Sequence, residues 1–281
     1  MDWMPWQDAL VLSVVLVLAG GVWRPRGRRL RSVTALLREA GIVAALYTVW
    51  TYLGSQPLRH TDGAMAHGET VWHIEQTLHI ANERWVQGLF LHHQTLMRFL
   101  NEYYGWVHVP ALGVFLLWLF LRHRDHFARW RTTLGVLTGL CFAIQLIPVA
   151  PPRMYPKLGF VDTGLAMSDS VYQRLGVPDA AQLIAMPSVH VAWAALIGWA
   201  AVEVSASRWR WLALGHSALT CVVVVATANH WWLDGIVAVG LLAAVRVAMP
   251  WAEALARAAR QALAQPRPAP ATALVADDRP E

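Results

Sequence analysis

Apolar runs long enough to cross a lipid bilayer recur along this chain and restrict the fold classes that it can adopt. Hydrophobic residues make up 56% of its 281 residues, and a helix needs about 20 residues to span the hydrocarbon core. Seven spans are predicted, over residues 6–23, 36–54, 104–121, 132–149, 188–204, 209–227 and 231–249. A spanning segment must satisfy its own backbone polar groups. The sequence therefore predicts an all-α fold, a polytopic membrane helix bundle.

Basic residues lie in alternate connections between the predicted spans. They are Arg24, Arg26, Arg28, Arg29, Arg31 and Arg38, then Arg122, Arg124, Arg129 and Arg131, then Arg208 and Arg210, and finally Arg246, Arg257 and Arg260. Cytoplasmic loops carry such an excess, so the N-terminus is predicted outside and the C-terminus inside a cell membrane. The net charge of +5 is explained by these arginines in the predicted cytoplasmic loops. We therefore expect no nucleic-acid partner.

The chain divides into four predicted parts. Residues 1–58 form two transmembrane helices, the first of which we expect to be a retained anchor because Asp2 and Asp8, and no basic residue, lead it. Residues 59–103 form an extracytoplasmic amphipathic segment. This segment is either a lid or ramp for a lipid or a structural collar. Residues 104–250 form the main helix bundle, and residues 251–281 a disordered cytoplasmic tail.

Two histidines and an aspartate carry the chemistry. His230 and Asp234 are four residues apart, which places them on one face of a helix. The aspartate would fix one imidazole tautomer and leave the other nitrogen free to attack, while His190 could protonate a leaving group. The predicted topology puts His190, His230 and Arg153 on the outer side of the membrane. The three residues therefore form one candidate site.

At these residues the chain resembles a known family. The segments that carry the resemblance are Pro151-Pro152-Arg153, Met186-Pro187-Ser188-Val189-His190 and His230-Trp231-Trp232-Leu233-Asp234. They are similar to the signature segments of the type 2 phosphatidic acid phosphatase (PAP2) superfamily. The surroundings, with Asp162, Asn229, Glu75 and Glu83, look like its inositolphosphotransferase branch, which includes inositol phosphorylceramide synthases. The resemblance covers roughly residues 70–247.

The resemblance implies a lipid phosphate substrate and a reaction through a phosphohistidine without a metal or other cofactor. His230 would attack phosphorus, Asp234 would orient it, and His190 would protonate the departing oxygen and then activate the acceptor. Arg153 and Ser188 would hold the phosphate oxygens. Water as acceptor gives a phosphatase, and a lipid or polyol hydroxyl gives a transferase. The sequence leaves this choice, the donor lipid and the oligomeric state open.

At two positions the residue type differs from the pattern of the wider superfamily. Leu146 stands where its first segment has a lysine, and Val224 where its third has an arginine. Lys157 is a candidate replacement for the missing phosphate ligands.

Other interpretations remain open. Arg153 could be an interfacial arginine that reaches toward water, and Ser188 could only cap a helix. A zinc site needs three or four ligands in a recognisable cluster, and the sequence shows no such cluster. A transporter usually places charges near the bilayer midplane, where these spans have almost none.

Overall fold

The computed structural model describes residues 4–22, 28–55, 61–167, 170 and 182–264. Within these residues the regular elements are helical, as predicted, and one isolated bridge pairs Val149 with Ile184. The helices are α1 (Trp6–Val22), α2 (Arg28–Ser55), α3 (Ala64–Thr77), α4 (Glu83–Leu91), α5 (Gln94–Trp106), α6 (His108–Arg122), α7 (Arg124–Ile144), α8 (Thr163–Ala166), α9 (Val189–Val204), α10 (Arg210–Ala226) and α11 (Trp232–Ala264). Single 3₁₀ turns occur at Pro152–Met154 and Pro156–Leu158.

The seven predicted spans are not all confirmed. Two helices in the described part of the chain, α2 and α11, are long and apolar enough to cross a membrane. The pair α5 and α6, bent by 54°, adds a third if it counts as one span. The apolar helices α1, α9 and α10 have at most 17 residues, slightly short of the usual spanning length of about 20. The predicted fourth span ends early because α7 stops at Ile144.

The main core lies among α5, α6, α7, α9, α10 and α11. Large side chains from four of these helices are fully buried there: Trp130, Leu137, Leu196, Val223 and Leu242. Small residues on α9, such as Ala192 and Ala200, are also fully buried, which lets neighbouring helices approach it closely. This packing fixes α9, whose first turn carries His190, against α10 and α11.

The N-terminal helices α1 and α2 pack on each other as a hairpin. The contact is close at two glycines. A β-carbon on Gly20 would lie 2.6 Å from the Arg38 amide nitrogen, and one on Gly41 would lie 2.7 Å from a methyl group of Val17. The Ser13 hydroxyl donates to the Gly41 carbonyl at 2.8 Å. Larger residues at either glycine would separate the helices.

The amphipathic outer segment is helical, and two of its acidic side chains are turned inward. Glu75 and Glu83 are at most 1% exposed, whereas the apolar side chains of Trp85 and Leu78 are 64% and 60% exposed. Buried carboxylates need partners, and both glutamates find them on α11. The exposed apolar side chains are those expected of a face turned toward lipid.

The last helix is longer than the sequence suggested. It continues past Pro250 to Ala264, so residues 251–264, predicted to belong to the disordered tail, are helical. Alanine-rich sequence has a high helix propensity, which accounts for the difference. The remainder of the predicted tail, residues 265–281, lies outside the described residues.

Candidate functional site

A tight link between α10 and α11 presents His230. Ala228 adopts a left-handed conformation with φ of 54°, which is uncommon outside glycine and typical of functional sites. The amides of Asn229 and His230 both donate to the Val224 carbonyl, at 3.0 and 3.1 Å. The link therefore places His230 just before α11 begins at Trp232. His230 precedes the helix rather than lying on its face, unlike the local geometry that the sequence predicted.

The ring of His230 is held by its Nδ1 atom. This atom lies 2.8 Å from the Ala185 carbonyl oxygen and 3.2 Å from Oδ2 of Asp234. Both partners only accept hydrogen bonds, so Nδ1 carries the proton and Nε2 of the neutral ring carries a lone pair. Nε2 is buried and has no hydrogen-bond partner among the described residues. The arrangement suits a nucleophile.

The Ala185 carbonyl has its own support. The Ala185 amide donates to the Val149 carbonyl at 2.9 Å, and the Val149 amide donates to the Leu183 carbonyl at 2.9 Å. These bonds form the bridge that joins the segment before α9 to the segment after α7. Sequence reasoning missed this contact because a backbone carbonyl leaves no signal in the residue type.

His190, on the first turn of α9, lies across from His230 with 5.7 Å between ring centroids. Its ring is half-buried and also contacts Tyr104 and His108, each with a centroid distance of 4.4 Å. The structure therefore brings together His190, His230 and Asp234. Sequence reasoning missed His108, for which the available signal was a histidine at the outer end of a predicted span.

Arg153 is 6% exposed and is fixed on several sides. Its Nε donates to Oδ1 of Asn229 at 2.9 Å, its Nη1 lies 3.5 Å from Oδ2 of Asp162, and its Nη2 donates to Gln182 at 3.4 Å. The backbone amide of Arg153 also donates to the Ala228 carbonyl at 2.9 Å. An arginine that reaches toward water at an interface would be exposed, so this interpretation does not fit Arg153. Asn229 and Asp162, without an assigned role in the sequence, orient its guanidinium group.

Ser188 is fully buried, and its hydroxyl accepts a hydrogen bond from the Val191 amide at 3.3 Å. This is an N-cap of α9, so the capping interpretation of Ser188 fits the geometry.

Lys157 is exposed and makes no hydrogen bond or ion pair with a described residue. At the two departing positions, Leu146 is 72% exposed and Val224 is buried in the apolar core. Neither supplies a cation.

Three carboxyl groups accept hydrogen bonds from backbone amides at the start of α11. The Trp231 amide donates to Oδ2 of Asp234 at 2.9 Å, the Trp232 amide to Glu83 at 3.2 Å, and the Leu233 amide to Glu75 at 2.7 Å. Amides at the start of a helix lack partners within the helix, and each of these three is satisfied by a carboxyl oxygen. The outer segment thus holds the start of α11, as a structural collar would.

Glu75 and Glu83 are close enough to share a hydrogen bond. Burial first, and then the hydrogen bond and the negative charge of Glu83, raise the pKa of Glu75 from its ordinary value of 4.5 to about 9. At neutral pH Glu75 therefore keeps its proton. Glu75 thus adds no negative charge between the outer segment and α11.

Comparison with known proteins identifies the family of the chain. Among the described residues, no group of three or more His, Cys, Asp or Glu side chains is arranged to hold a metal ion. No curated protein and no solved structure matches the chain. The profile of the PAP2 superfamily matches residues 69–248, which is more than half of the chain and includes the buried glutamates, Arg153 and both histidines. The chain belongs to the PAP2 superfamily.

Proposed function

We propose that the protein is a membrane enzyme that moves the phosphate-containing head group of a lipid phosphate through a phosphohistidine at His230. The observation that carries this proposal is the hydrogen bonding of the His230 ring. Two acceptors hold the proton on Nδ1, and Nε2 is left with its lone pair in a buried position. A histidine that served only as packing would not need both acceptors on the same nitrogen.

The first half of the reaction forms the covalent intermediate. Nε2 of His230 attacks phosphorus, and the bond between phosphorus and the leaving oxygen breaks. A protonated His190, across the site at 5.7 Å between ring centroids, gives its proton to that oxygen, so the lipid alcohol leaves neutral. Asp234 balances the positive charge that grows on the His230 ring. Arg153 balances the charge on the phosphate oxygens.

The second half regenerates the enzyme. His190, now neutral, takes the proton of the acceptor hydroxyl, and the acceptor oxygen attacks phosphorus. The bond between phosphorus and Nε2 breaks, and the electron pair returns to the His230 ring. His190 is again protonated, so the cycle needs no external proton donor. Water as acceptor completes a hydrolysis, and an alcohol completes a transfer.

A specific observation favours transfer to a hydroxyl acceptor as the second candidate. Arg153 is the cation built into the site, while Leu146 and Val224 are apolar where the wider superfamily has basic residues. One guanidinium group balances the single negative charge of a phosphodiester better than the two charges of a phosphomonoester. The contacts of Arg153 with Asn229 and Asp162 involve residues of the inositolphosphotransferase-like pattern. A phosphodiester lipid as donor and a polyol or lipid hydroxyl as acceptor fit these features.

The proposed site lies at the extracytoplasmic face. His190 is in the first turn of α9, and Glu203 in its last turn contacts Arg129 and Arg246 at 3.4 and 2.9 Å. The 16 residues of α9 separate these ends by about 24 Å. The basic residues that mark cytoplasmic loops are therefore at the end of α9 opposite the histidines.

Purified protein tests the proposal with a panel of lipid phosphates, lipid diphosphates and phosphoinositides in EDTA. Both free phosphate and new phosphodiester lipid are measured, and a labelled donor is used to trap the phosphoenzyme. We expect a covalent phosphoryl adduct that is labile in acid and absent from His230→Ala. A transporter or structural protein would form no adduct and would keep its biological activity in that variant.

A further inference from the structure

The two catalytic histidines are oriented by different means. His230 has a carboxylate and a carbonyl oxygen on its Nδ1 atom. His190 makes no hydrogen bond with its ring nitrogens among the described residues, and its ring meets only other rings. A general acid must aim its proton at the leaving oxygen. The contacts with the surrounding rings are therefore the ones that can orient His190.

Two of these rings confine His190 from different directions. The Tyr104 ring is tilted by 34° relative to the His190 ring, while the His108 ring lies at 81°, edge to face, both with 4.4 Å between centroids. Edge-to-face packing, as between His108 and His190, is a favoured geometry of aromatic pairs. Together the two rings restrict rotation of the His190 ring about both of its side-chain torsions.

His108 is itself rigid. It is 5% exposed, and its Nδ1 donates to the Tyr104 carbonyl at 3.2 Å. This bond forms at the 54° bend between α5 and α6, so the bend places both rings of the clamp. The neighbouring Tyr103 ring contacts His108 edge to face, with centroids 5.8 Å apart. The position of His108 is thus set before a substrate binds.

Resting on the function proposed above, we infer that His108 and Tyr104 are positioning residues for the acid and base His190. They do for His190 through ring contacts what Asp234 does for His230 through a hydrogen bond. A loss of the His108 ring leaves the nucleophile intact, because His230 keeps its partners Ala185 and Asp234. The defect should therefore fall on proton transfer to the leaving group.

The test compares His108→Leu with His108→Phe. Leucine fills a similar volume without an aromatic edge, whereas phenylalanine keeps the ring. His73→Leu is the matched control, since His73 is exposed on α3. Each purified variant is assayed with an alkyl phosphodiester donor and with an aryl donor of the same lipid, whose phenolate needs little protonation to leave.

For His108→Leu we expect kcat on the alkyl donor to fall about 10-fold or more, with KM unchanged, since a positioned acid contributes about 10²- to 10⁴-fold. On the aryl donor the loss should stay below about threefold, because the acid matters little there. His108→Phe should recover most of the alkyl activity, and His73→Leu should match the wild type. Tyr104→Leu should repeat the pattern of His108→Leu.

Three outcomes overturn the inference. Equal losses on both donors would indicate general structural damage, and unchanged alkyl activity in His108→Leu would show that the ring is not needed. A His108→Phe variant as impaired as His108→Leu would show that the aromatic contact is not the cause. Should the wild type itself form no phosphoenzyme with either donor, the proposed function fails first. If His108→Leu does not fold, the comparison of His108→Phe with Tyr104→Leu decides.

Discussion

Replacing Asp234 with asparagine separates two roles of this carboxylate. Asp234 accepts hydrogen bonds from Nδ1 of His230 and from the Trp231 amide. The asparagine carbonyl oxygen can take over both bonds, so the start of α11 should keep its shape. What the variant loses is the negative charge beside the imidazole. The Ala185 carbonyl, at 2.8 Å from Nδ1, still holds the proton on that nitrogen.

The size of the effect follows from this geometry. A unit charge at about 4 Å is worth about 4 kcal/mol at an effective dielectric constant near 20. In hydrolytic triads the same substitution costs about 10⁴-fold, largely because the histidine adopts the wrong tautomer. Here the Ala185 carbonyl preserves the tautomer. The charge on the ring is only partly developed in the transition state, so about 4 kcal/mol, or about 10³-fold, is an upper limit; we expect a loss in kcat of at least about 100-fold, or about 2.7 kcal/mol.

The assay is the single-turnover rate of phosphoenzyme formation, measured beside thermal unfolding in the same detergent. Asp62→Asn is the matched control, because Asp62 is exposed before α3 and its variant should behave as the wild type. A folded Asp234→Asn protein with wild-type rates would refute the reasoning. A loss near 10⁴-fold would also contradict it, since the Ala185 carbonyl would then not hold the tautomer.

Other expectations concern metal, acid catalysis, pH and sidedness. Activity should survive EDTA, and a strict need for an added divalent ion would contradict the mechanism. His230→Ala should be inactive on every donor, whereas an aryl donor should partly rescue His190→Ala; equal rescue of both variants would contradict the assigned roles. Because the folded pKa of Glu75 is raised to about 9, the free energy of unfolding should be greatest below about pH 4.5 and decrease as pH rises toward 9; Glu75→Gln should flatten this slope in urea titrations. In a background lacking the native cysteines, an impermeant maleimide on intact cells should label Ala166→Cys and not Ala206→Cys, and the opposite pattern would place the site in the cytoplasm.

The sequence predicts those features that depend on local spacing. The helical fold follows from apolar patterning. The separation of four residues correctly predicts that His230 and Asp234 are close, although His230 lies just before the helix and not on its face. The grouping of His190 with this pair follows from the topology of the chain. The number of spans does not follow, because apolar composition does not show where a helix ends or bends, as it does between α5 and α6.

The supporting contacts were beyond sequence reasoning for a different reason. His108 meets His190, and the Ala185 carbonyl meets His230, only after distant segments pack together. The polar and apolar pattern of the outer segment predicted amphipathic helices, but it did not show which polar side chains are buried. Glu75 and Glu83 are buried through hydrogen bonds to α11, and no local pattern records the partner of a buried carboxylate.

The glutamate contacts with α11 have a consequence for the biogenesis of the protein. The hydrogen bond from Leu233 to Glu75 joins residues 158 positions apart, and that from Trp232 to Glu83 joins residues 149 apart. Synthesis proceeds from the N-terminus, so the glutamates emerge long before the helix that they hold. His230, the proposed nucleophile, is therefore oriented only after α11 has been made and has packed against the outer segment. On the proposed function, a chain that stops before α11 would carry His190 and Arg153 without the nucleophile and would be inactive.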